Sequence, residues 1–348
     1  MSTSRANSSS VLSHQIRLLE YVPPSINGLA LGFCGLGITW QSTDLLYAPS
    51  FARVIADIIA LIAFNIGTTL LLIYLCKVIF ASRHALQDLL SASGNTTLPC
   101  LDMSLMMLSV WLYGHGLHTL ATNLWFLATS MHVFLLVFFI RHLIRADWEQ
   151  VTPSWMVPPI GIALAGGTGT SIGIGAGASI FFWVGLGAFF LALPAALYRA
   201  HAYPVPPAPG DDALYPIFAA PAALLLTNWI AIGGHQGHTL THFLFLAEIV
   251  CLVLVIFRLP SLAAMPFCPQ QAAFTFPADV AAKSFILYSH LYRTEAGMLA
   301  VMAWLLVTIA TAAVFGIFAR FCAIAAESVK DPVSSSQPQP LSVGSELL

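Results

Sequence analysis

Two residues of opposite charge stand in an apolar stretch near the C-terminal end of the chain. Asp279 and Lys283 are four residues apart, so in a helix they lie on one face and can form an ion pair. If the stretch spans a membrane, such residues are costly there and often functional. Two interpretations follow. One is a structural pair that neutralises itself against a neighbouring helix; in the other, Asp279 exchanges protons or Lys283 attracts an anion.

Three histidines have a spacing that can place metal ligands together on a helix: His235, His238 and His242. A similar segment with His115 and His118 occurs earlier in the chain, so duplication explains these histidines without a metal. The six cysteines form no CxxC pair and are interpreted as apolar filler. No nucleophile or carboxylate pair clusters in the sequence. We therefore predict no enzyme activity, no metal and no cofactor.

Three further acidic residues, Asp57, Asp102 and Glu248, also fall in apolar stretches. They raise the same question of structure or function as the first pair. For Asp102, which lies near the start of its stretch, a helix cap is the preferred interpretation.

An aromatic residue precedes a proline in the stretch that carries Asp279. The residue before a proline is pushed away from the α region, so we expect the helix to bend at Phe276, immediately before Pro277. An aromatic ring can close a narrow apolar pore by excluding water. The alternative is that Phe276 packs in a core as one of 23 phenylalanines. On the residues alone, core packing is the simpler interpretation.

The composition predicts what must position these residues. Of 348 residues, 58% are hydrophobic and 8% are charged, whereas a soluble domain has about a quarter charged. Most of the exterior must therefore face lipid, and long unalternating apolar runs favour helices over a barrel. The net charge of −2 gives no reason to expect a nucleic-acid partner. The apolar runs predict ten spans, at residues 23–41, 53–80, 100–116, 119–144, 154–173, 175–198, 214–233, 239–258, 271–291 and 297–323.

The basic residues orient these spans. With a cytoplasmic N-terminus, most of the 13 Lys and Arg residues fall at cytoplasmic ends of spans. We therefore predict an integral protein of a plasma membrane, such as a bacterial inner membrane, with both termini cytoplasmic. Residues 1–20 are expected to be a polar segment without a signal peptide, residues 21–325 the ten-helix transmembrane domain, and residues 326–348 a disordered tail.

An internal repeat relates two pairs of spans. Residues 111–120 and 229–240 share Gly-His followed by His-Thr-Leu, each between two apolar runs. If all five helical hairpins are copies, a ring of hairpins places either the odd or the even spans at its centre. The odd spans are favoured, because spans one, five, seven and nine have helix-breaking prolines and glycines at or near their starts or within them, and a freed carbonyl needs protein or water. Kinks in a packed bundle are the alternative, and the third span lacks such a proline.

Three segments carry a family resemblance. They are residues 22–40, with Pro23-Pro24, Gly28 and Gly32; residues 153–158, Pro-Ser-Trp-Met-Val-Pro; and residues 273–276, Ala-Phe-Thr-Phe. Together and in this order they resemble the tellurite-resistance/dicarboxylate transporter family, which includes TehA-like proteins and the slow anion channels of plant guard cells. The likeness extends over roughly residues 20–325.

The resemblance implies five helical hairpins with the odd helices around a central pore, a homotrimer with one pore per protomer, and passage of anions without ATP. It also implies that Phe276 occludes the pore. The residues expected to line the pore or break its helices are Pro24, Gly28, Gly32, Pro158, Pro221, Phe274 and Pro277. Backbone N–H groups at the helix breaks would supply a weak positive field.

Two functions are therefore expected to compete. The first is passage of small anions through a pore gated by Phe276. The second is proton-coupled transport of a C4-dicarboxylate, sulfite or a tellurite-like oxyanion, with Asp279 and Lys283 in the coupling.

Overall fold

The computed structural model describes residues 18–46, 50–203, 206, 208–234, 238–292 and 296–330. Every regular element in this part of the chain is a helix. Most of the predicted N-terminal segment and tail, residues 1–17 and 331–348, lies outside the described residues. The last helix continues to Lys330, five residues past the predicted end of the transmembrane domain.

The α-helices are α1 (Ile26–Ser42), α2 (Ser50–Phe80), α3 (Ser82–Leu90), α4 (Ala92–Thr97), α5 (Pro99–Gly114), α6 (His118–Leu143), α7 (Val157–Gly161), α8 (Ala163–Ser171), α9 (Ser179–Ala202), α10 (Ala220–Ala231), α11 (His238–Ala263), α12 (Thr275–Leu291) and α13 (Ala296–Lys330). In the described part of the chain they are accompanied by 3-10 segments at Thr43–Leu46, Trp148–Gln150, Pro153–Met156, Gly175–Ala178, Asp211–Ala219 and Pro269–Phe274.

Among the described residues, six helical stretches are long and apolar enough to cross a membrane. Five of them lie in α2, α6, α9, α11 and α13. In each of these, 39% or less of an apolar stretch of 18 residues is buried inside the protein. Large apolar side chains such as Phe51, Leu191 and Phe257 point outward from these helices, as expected of surfaces that contact lipid. The chain is therefore an all-α membrane protein, as predicted. These five are called the outer helices below.

The remaining long segments are buried among the outer helices. In the sixth apolar stretch, Asp211–Ala231, 83% of the corresponding 18 residues are buried. Most residues of α1, α5, α8 and α12 are also buried. We call α1, α5, α7, α8, α10 and α12 the inner helices. Their positions match the odd-numbered predicted spans, although they are shorter than predicted.

The prolines start the inner helices rather than kinking them. α5 begins at Pro99, α7 has Pro158 in its first turn and α10 has Pro221 there. Pro277 is in the first turn of α12. The first turn has no intrahelical acceptor for its N–H groups, so proline loses no hydrogen bond there. Prolines therefore lie at or near the starts of the odd spans, as predicted, but at these positions they free no carbonyl. The third span, for which no such proline was expected, begins with Pro99.

Glycines in the left-handed conformation close two of the hairpins. Gly116 has φ of 81°, and the Leu117 N–H donates to the Leu112 carbonyl at 3.1 Å. Gly173 also has φ of 81°, and the Ile174 N–H donates to the Gly169 carbonyl at 2.9 Å. These are the C-terminal glycine caps expected where a helix must stop abruptly.

The duplicated motif marks equivalent positions in two hairpins. α6 starts at His118 and α11 starts at His238, and each helix has 26 residues. Residues 235–237, the middle of the second copy, lie outside the described residues.

The inner helices contact one another in a closed cycle. Each outer helix packs on the inner helix that precedes it: α2 on α1, α6 on α5, α9 on α8, α11 on α10 and α13 on α12. The inner helices contact in chain order, α1 with α5, α5 with α8, α8 with α10 and α10 with α12, and α12 returns to α1.

Candidate functional site

The inner helices enclose a cavity of about 240 Å³ at their N-terminal ends. Residues of α1, α5, α7, α10 and α12 contribute to its wall, and none of the described residues that line it carries a charge. The lining includes Pro23, Pro24, Ser25, Gly28, Cys100, Met103, Val157, Gly161, Leu214, Pro221, Leu224, Pro269, Ala273, Phe276 and Pro277.

A second cavity of about 50 Å³ lies further along the same helices, towards their C-terminal ends. It is lined by residues of α1, α5, α8, α10 and α12, and its lining is more polar. The residues include Gly35, Thr39, Met107, Val110, Gly167, Thr168, Ser171, Leu224, Thr227, Asn228, Phe276, Val280 and Lys283. Among the described residues that line either cavity, Lys283 is the one with a charge.

Phe276 and Leu224 line both cavities. They lie where the two cavities meet, Phe276 on α12 and Leu224 on α10. Phe276 is 7% exposed and Leu224 is 4% exposed, so both apolar side chains are packed between the two cavities.

A glycine face on α1 makes room for Phe276. A Cβ atom at Gly35 would lie 3.1 Å from Cδ2 of Phe276 and 3.1 Å from Oδ2 of Asp279. One turn earlier, a Cβ atom at Gly32 would overlap the Thr275 side chain. Glycines four or fewer residues apart let two helix backbones approach closely. The position of the ring therefore depends on α1 as well as on its own helix.

Two hydroxyl groups fix the start of α12 against its surroundings. Thr275 Oγ1 donates to the Ala272 carbonyl at 2.7 Å, and Thr39 Oγ1 on α1 donates to the Asp279 carbonyl at 3.0 Å. The segment Pro269–Phe274 is a 3-10 turn and the α-helix begins at Thr275. The bend predicted at Phe276 is therefore a change of helix type just before it, since Pro277 fits the first turn without loss.

The structure divides the residues predicted to line a pore. Pro24, Gly28, Pro221 and Pro277 line the larger cavity. Gly32, Pro158 and Phe274 line neither cavity. Gly32 faces Thr275 and the Pro158 carbonyl accepts a hydrogen bond from His132, while Phe274 ends the 3-10 turn.

Asp279 and Lys283 share a helix but do not form an ion pair in this structure. The ion pairs among the described residues are Arg53–Asp44, Lys77–Asp88 and His132–Asp102. Both carboxyl oxygens of Asp279 are buried without a hydrogen-bond partner, next to Gly35 of α1. Lys283 instead lines the smaller cavity. Spacing along the helix allows a pair, but the two side chains point to different surroundings.

A buried histidine links three helices behind the wall of the larger cavity. Nδ1 of His132 is 2.5 Å from Oδ1 of Asp102, and Nε2 is 2.9 Å from the Pro158 carbonyl oxygen. The carbonyl can only accept, so Nε2 donates to it. The N-cap of α5 is Leu98, so interpreting Asp102 as a cap was wrong. Sequence reasoning missed this contact because the two residues are 30 apart on different helices.

A second buried carboxyl group lies on the outer helix α11. Oε1 of Glu248 is hydrogen-bonded to Ser284 Oγ, and Oε2 has no partner. The same hydroxyl lies 2.8 Å from the Ala281 carbonyl oxygen. Asp57, by contrast, is exposed on α2.

The histidines considered for a metal site have other partners. His238 Nδ1 is 3.0 Å from the Tyr292 hydroxyl and His242 Nδ1 is 2.7 Å from the Tyr288 hydroxyl. His235 lies outside the described residues. In the described part of the chain no three His, Cys, Asp or Glu residues are grouped closely enough to hold a metal ion.

Comparison with known proteins gives a family match that includes all the inner helices. Residues 21–322 match the voltage-dependent anion channel family. No curated protein matches the chain. The family match includes all the inner helices and both cavities, and it confirms the predicted resemblance to the tellurite-resistance/dicarboxylate transporter group. Because it extends over most of the sequence, the chain belongs to the voltage-dependent anion channel family, an integral-membrane family of anion transport.

Proposed function

We propose that the chain conducts small anions along a path formed by the two cavities, and that Phe276 closes this path in the present conformation. The observation that carries the proposal is that the Phe276 ring lines both cavities. An aromatic ring at a narrow apolar constriction excludes water, and with it ions. Leu224 lines both cavities as well and completes the constriction from α10.

The larger cavity can attract anions without a fixed charge. The N-terminal ends of α1, α5, α10 and α12 lie at this cavity, and helix N-termini carry partial positive charge. Ser25 lines the cavity, and its hydroxyl has no partner among the described residues, so it can donate a hydrogen bond to an anion. Since the rest of the wall is largely apolar, dehydration is costly, and we expect nitrate to pass more readily than the more strongly hydrated chloride.

The proposal extends to the number of spans around the path, their orientation and the oligomeric state. Ten spans in five hairpins would enclose the path, which the closed cycle of inner-helix contacts supports. With both termini cytoplasmic, the larger cavity faces the cytoplasm, since the inner helices start there. The family resemblance supports a homotrimer with one path per protomer, in a plasma membrane such as a bacterial inner membrane.

A proton-coupled carrier is the second candidate, and one observation favours it. Asp279, Glu248 and Asp102 are fully buried carboxyl groups, and each has at least one oxygen without a partner. Buried carboxyl groups inside membranes often relay protons. In this alternative a C4-dicarboxylate, sulfite or a tellurite-like oxyanion would move together with protons.

Flux assays in proteoliposomes separate the two candidates. The purified protein is reconstituted, and efflux of nitrate, chloride, sulfite and malate is measured with and without a pH gradient. A channel predicts nitrate and chloride flux that persists at equal pH and follows the membrane potential. Flux that requires a proton gradient, or that is confined to malate or sulfite, would contradict the channel and support the carrier.

A further inference from the structure

The Lys283 side chain presents an unneutralised charge to the smaller cavity. Its helix places it seven residues, about two turns, beyond Phe276, and it lines the cavity of about 50 Å³. No carboxylate oxygen of the described residues lies within 4.0 Å of its ammonium group. A cation withdrawn from bulk water without a counter-charge is costly. The cavity therefore favours an occupant that is negatively charged.

The hydroxyl groups around this cavity already donate their protons within the protein. The hydroxyls of Thr39, Thr168, Ser171 and Thr227 donate to backbone carbonyls. The Asn228 amide donates one of its two N–H groups to the Leu224 carbonyl. Hydroxyl groups used in this way compete poorly for an anion. Lys283 has no such partner among the described residues, so its three N–H donors remain for an occupant of the cavity.

The acidic residues of the neighbouring elements do not neutralise Lys283. Asp279, one turn earlier on α12, faces Gly35 of α1 and lines neither cavity. Glu248 on α11 is hydrogen-bonded to Ser284 and also lines neither cavity. The walls contributed by α1, α5, α8 and α10 carry no charged side chain among the described lining residues.

We propose that Lys283 forms a binding site for one small monovalent inorganic anion, such as nitrate or chloride, on the far side of Phe276 from the larger cavity. The site deepens the proposed function, on which it rests for the cavity's place along the path. It gives an anion that has passed the ring a single charged contact. One such contact is strong enough to select for charge and weak enough to release the ion.

The size of the cavity sets the class of anion. A space of about 50 Å³ holds only a few water-sized groups, since one water needs about 10–15 Å³ in this measure. Nitrate and chloride fit that space. A four-carbon dicarboxylate, with a second charge for which the cavity has no partner, does not.

Nitrate binding to the purified protein tests the site independently of conduction. The thermal unfolding midpoint in detergent is measured against sodium nitrate concentration, with sodium gluconate as a bulky reference at equal ionic strength. Binding to the native state raises the midpoint in a saturable way. The variants are Lys283→Met and Lys283→Gln, which remove the charge, and Lys283→Arg, which keeps it. Arg53→Met is the matched control, because Arg53 lines neither cavity and is paired with Asp44 on the surface.

The wild type, Lys283→Arg and Arg53→Met are expected to show the same saturable nitrate effect. Both neutral variants should raise the apparent nitrate dissociation constant by about tenfold or more, the effect expected from the loss of one charge-assisted contact. An unchanged nitrate constant in both neutral variants, or an equal loss in Arg53→Met, would overturn the site. If the wild type binds nitrate through Lys283 but liposomes pass no anion, the conduction proposal fails while the site stands.

Discussion

At the scale of single residues, the sequence predicts some side-chain positions and misses others, as seen at Phe276, Lys283 and His132. The Phe276 ring is singled out by the family resemblance, whereas spacing alone leaves it among many phenylalanines. The helical register predicts that Asp279 and Lys283 share a face, but it does not predict that Asp279 turns to Gly35 while Lys283 turns to the smaller cavity. Such choices depend on neighbouring helices, which the local sequence does not contain.

The contact between His132 and Asp102 gives a stability prediction at the residue scale. Asp102→Ala would leave the fully buried His132 ring without its Nδ1 partner. Leaving a buried hydrogen-bonding group without its partner typically costs about 1–3 kcal/mol. We expect a loss of unfolding free energy of that size, measured by denaturant titration in detergent.

Asp57→Ala is the matched control, because Asp57 is exposed on α2 and its loss is expected to change the free energy of unfolding by less than about 0.5 kcal/mol. Equal effects of the two substitutions would show that the buried pair contributes nothing to stability.

At the scale of elements, hydropathy locates most segments and misses how the inner ones begin. The long outer helices lie where the apolar runs predict them, because lipid contact demands continuous apolar sequence. The inner segments begin instead with prolines and 3-10 turns, as at Pro153–Met156 and Pro269–Phe274. Helix termini are the least predictable part of a sequence, and here they form the wall of the larger cavity. Contacts between inner helices join residues that are distant in sequence, so a local pattern does not predict which helices contact each other.

The glycine face of α1 gives a prediction for the packing of α1 on α12. In Gly32→Ala the added methyl group overlaps the Thr275 side chain, so the two helices must separate or the threonine must move. Overpacking of this kind costs about 1–3 kcal/mol. We expect the free energy of unfolding to fall by that amount, in the same denaturant titration.

Gly316→Ala on α13 is its control, since a Cβ atom there meets nothing within 4 Å and the helix propensity of alanine favours a small gain. If Gly32→Ala were as stable as Gly316→Ala, the close approach of α1 and α12 would not hold in the folded protein.

For the whole molecule, the central feature of the proposed path is a constriction between two cavities, both of which are lined by α1, α5, α10 and α12. The inner helices contact one another in a closed cycle, the larger cavity carries no charge among its described lining residues, and the smaller one carries Lys283. Composition predicts a membrane protein. The repeat, the helix-breaking residues of the odd spans and the family resemblance predict its inner and outer helices. The cavities themselves follow from how the helix ends meet, which is a property of the assembled fold.

Anion conductance of Phe276→Ala in planar bilayers tests this account most directly. We expect removal of the ring to widen the constriction between the cavities, and each 1.36 kcal/mol taken from the barrier raises the rate about tenfold. Phe274→Ala is the control, because it makes the same change two residues earlier at a side chain that lines neither cavity. We predict that nitrate and chloride conductance rises about tenfold or more in Phe276→Ala and stays at the wild-type level in Phe274→Ala. If correctly folded Phe276→Ala conducts no better than the wild type and Phe274→Ala, Phe276 does not close the path.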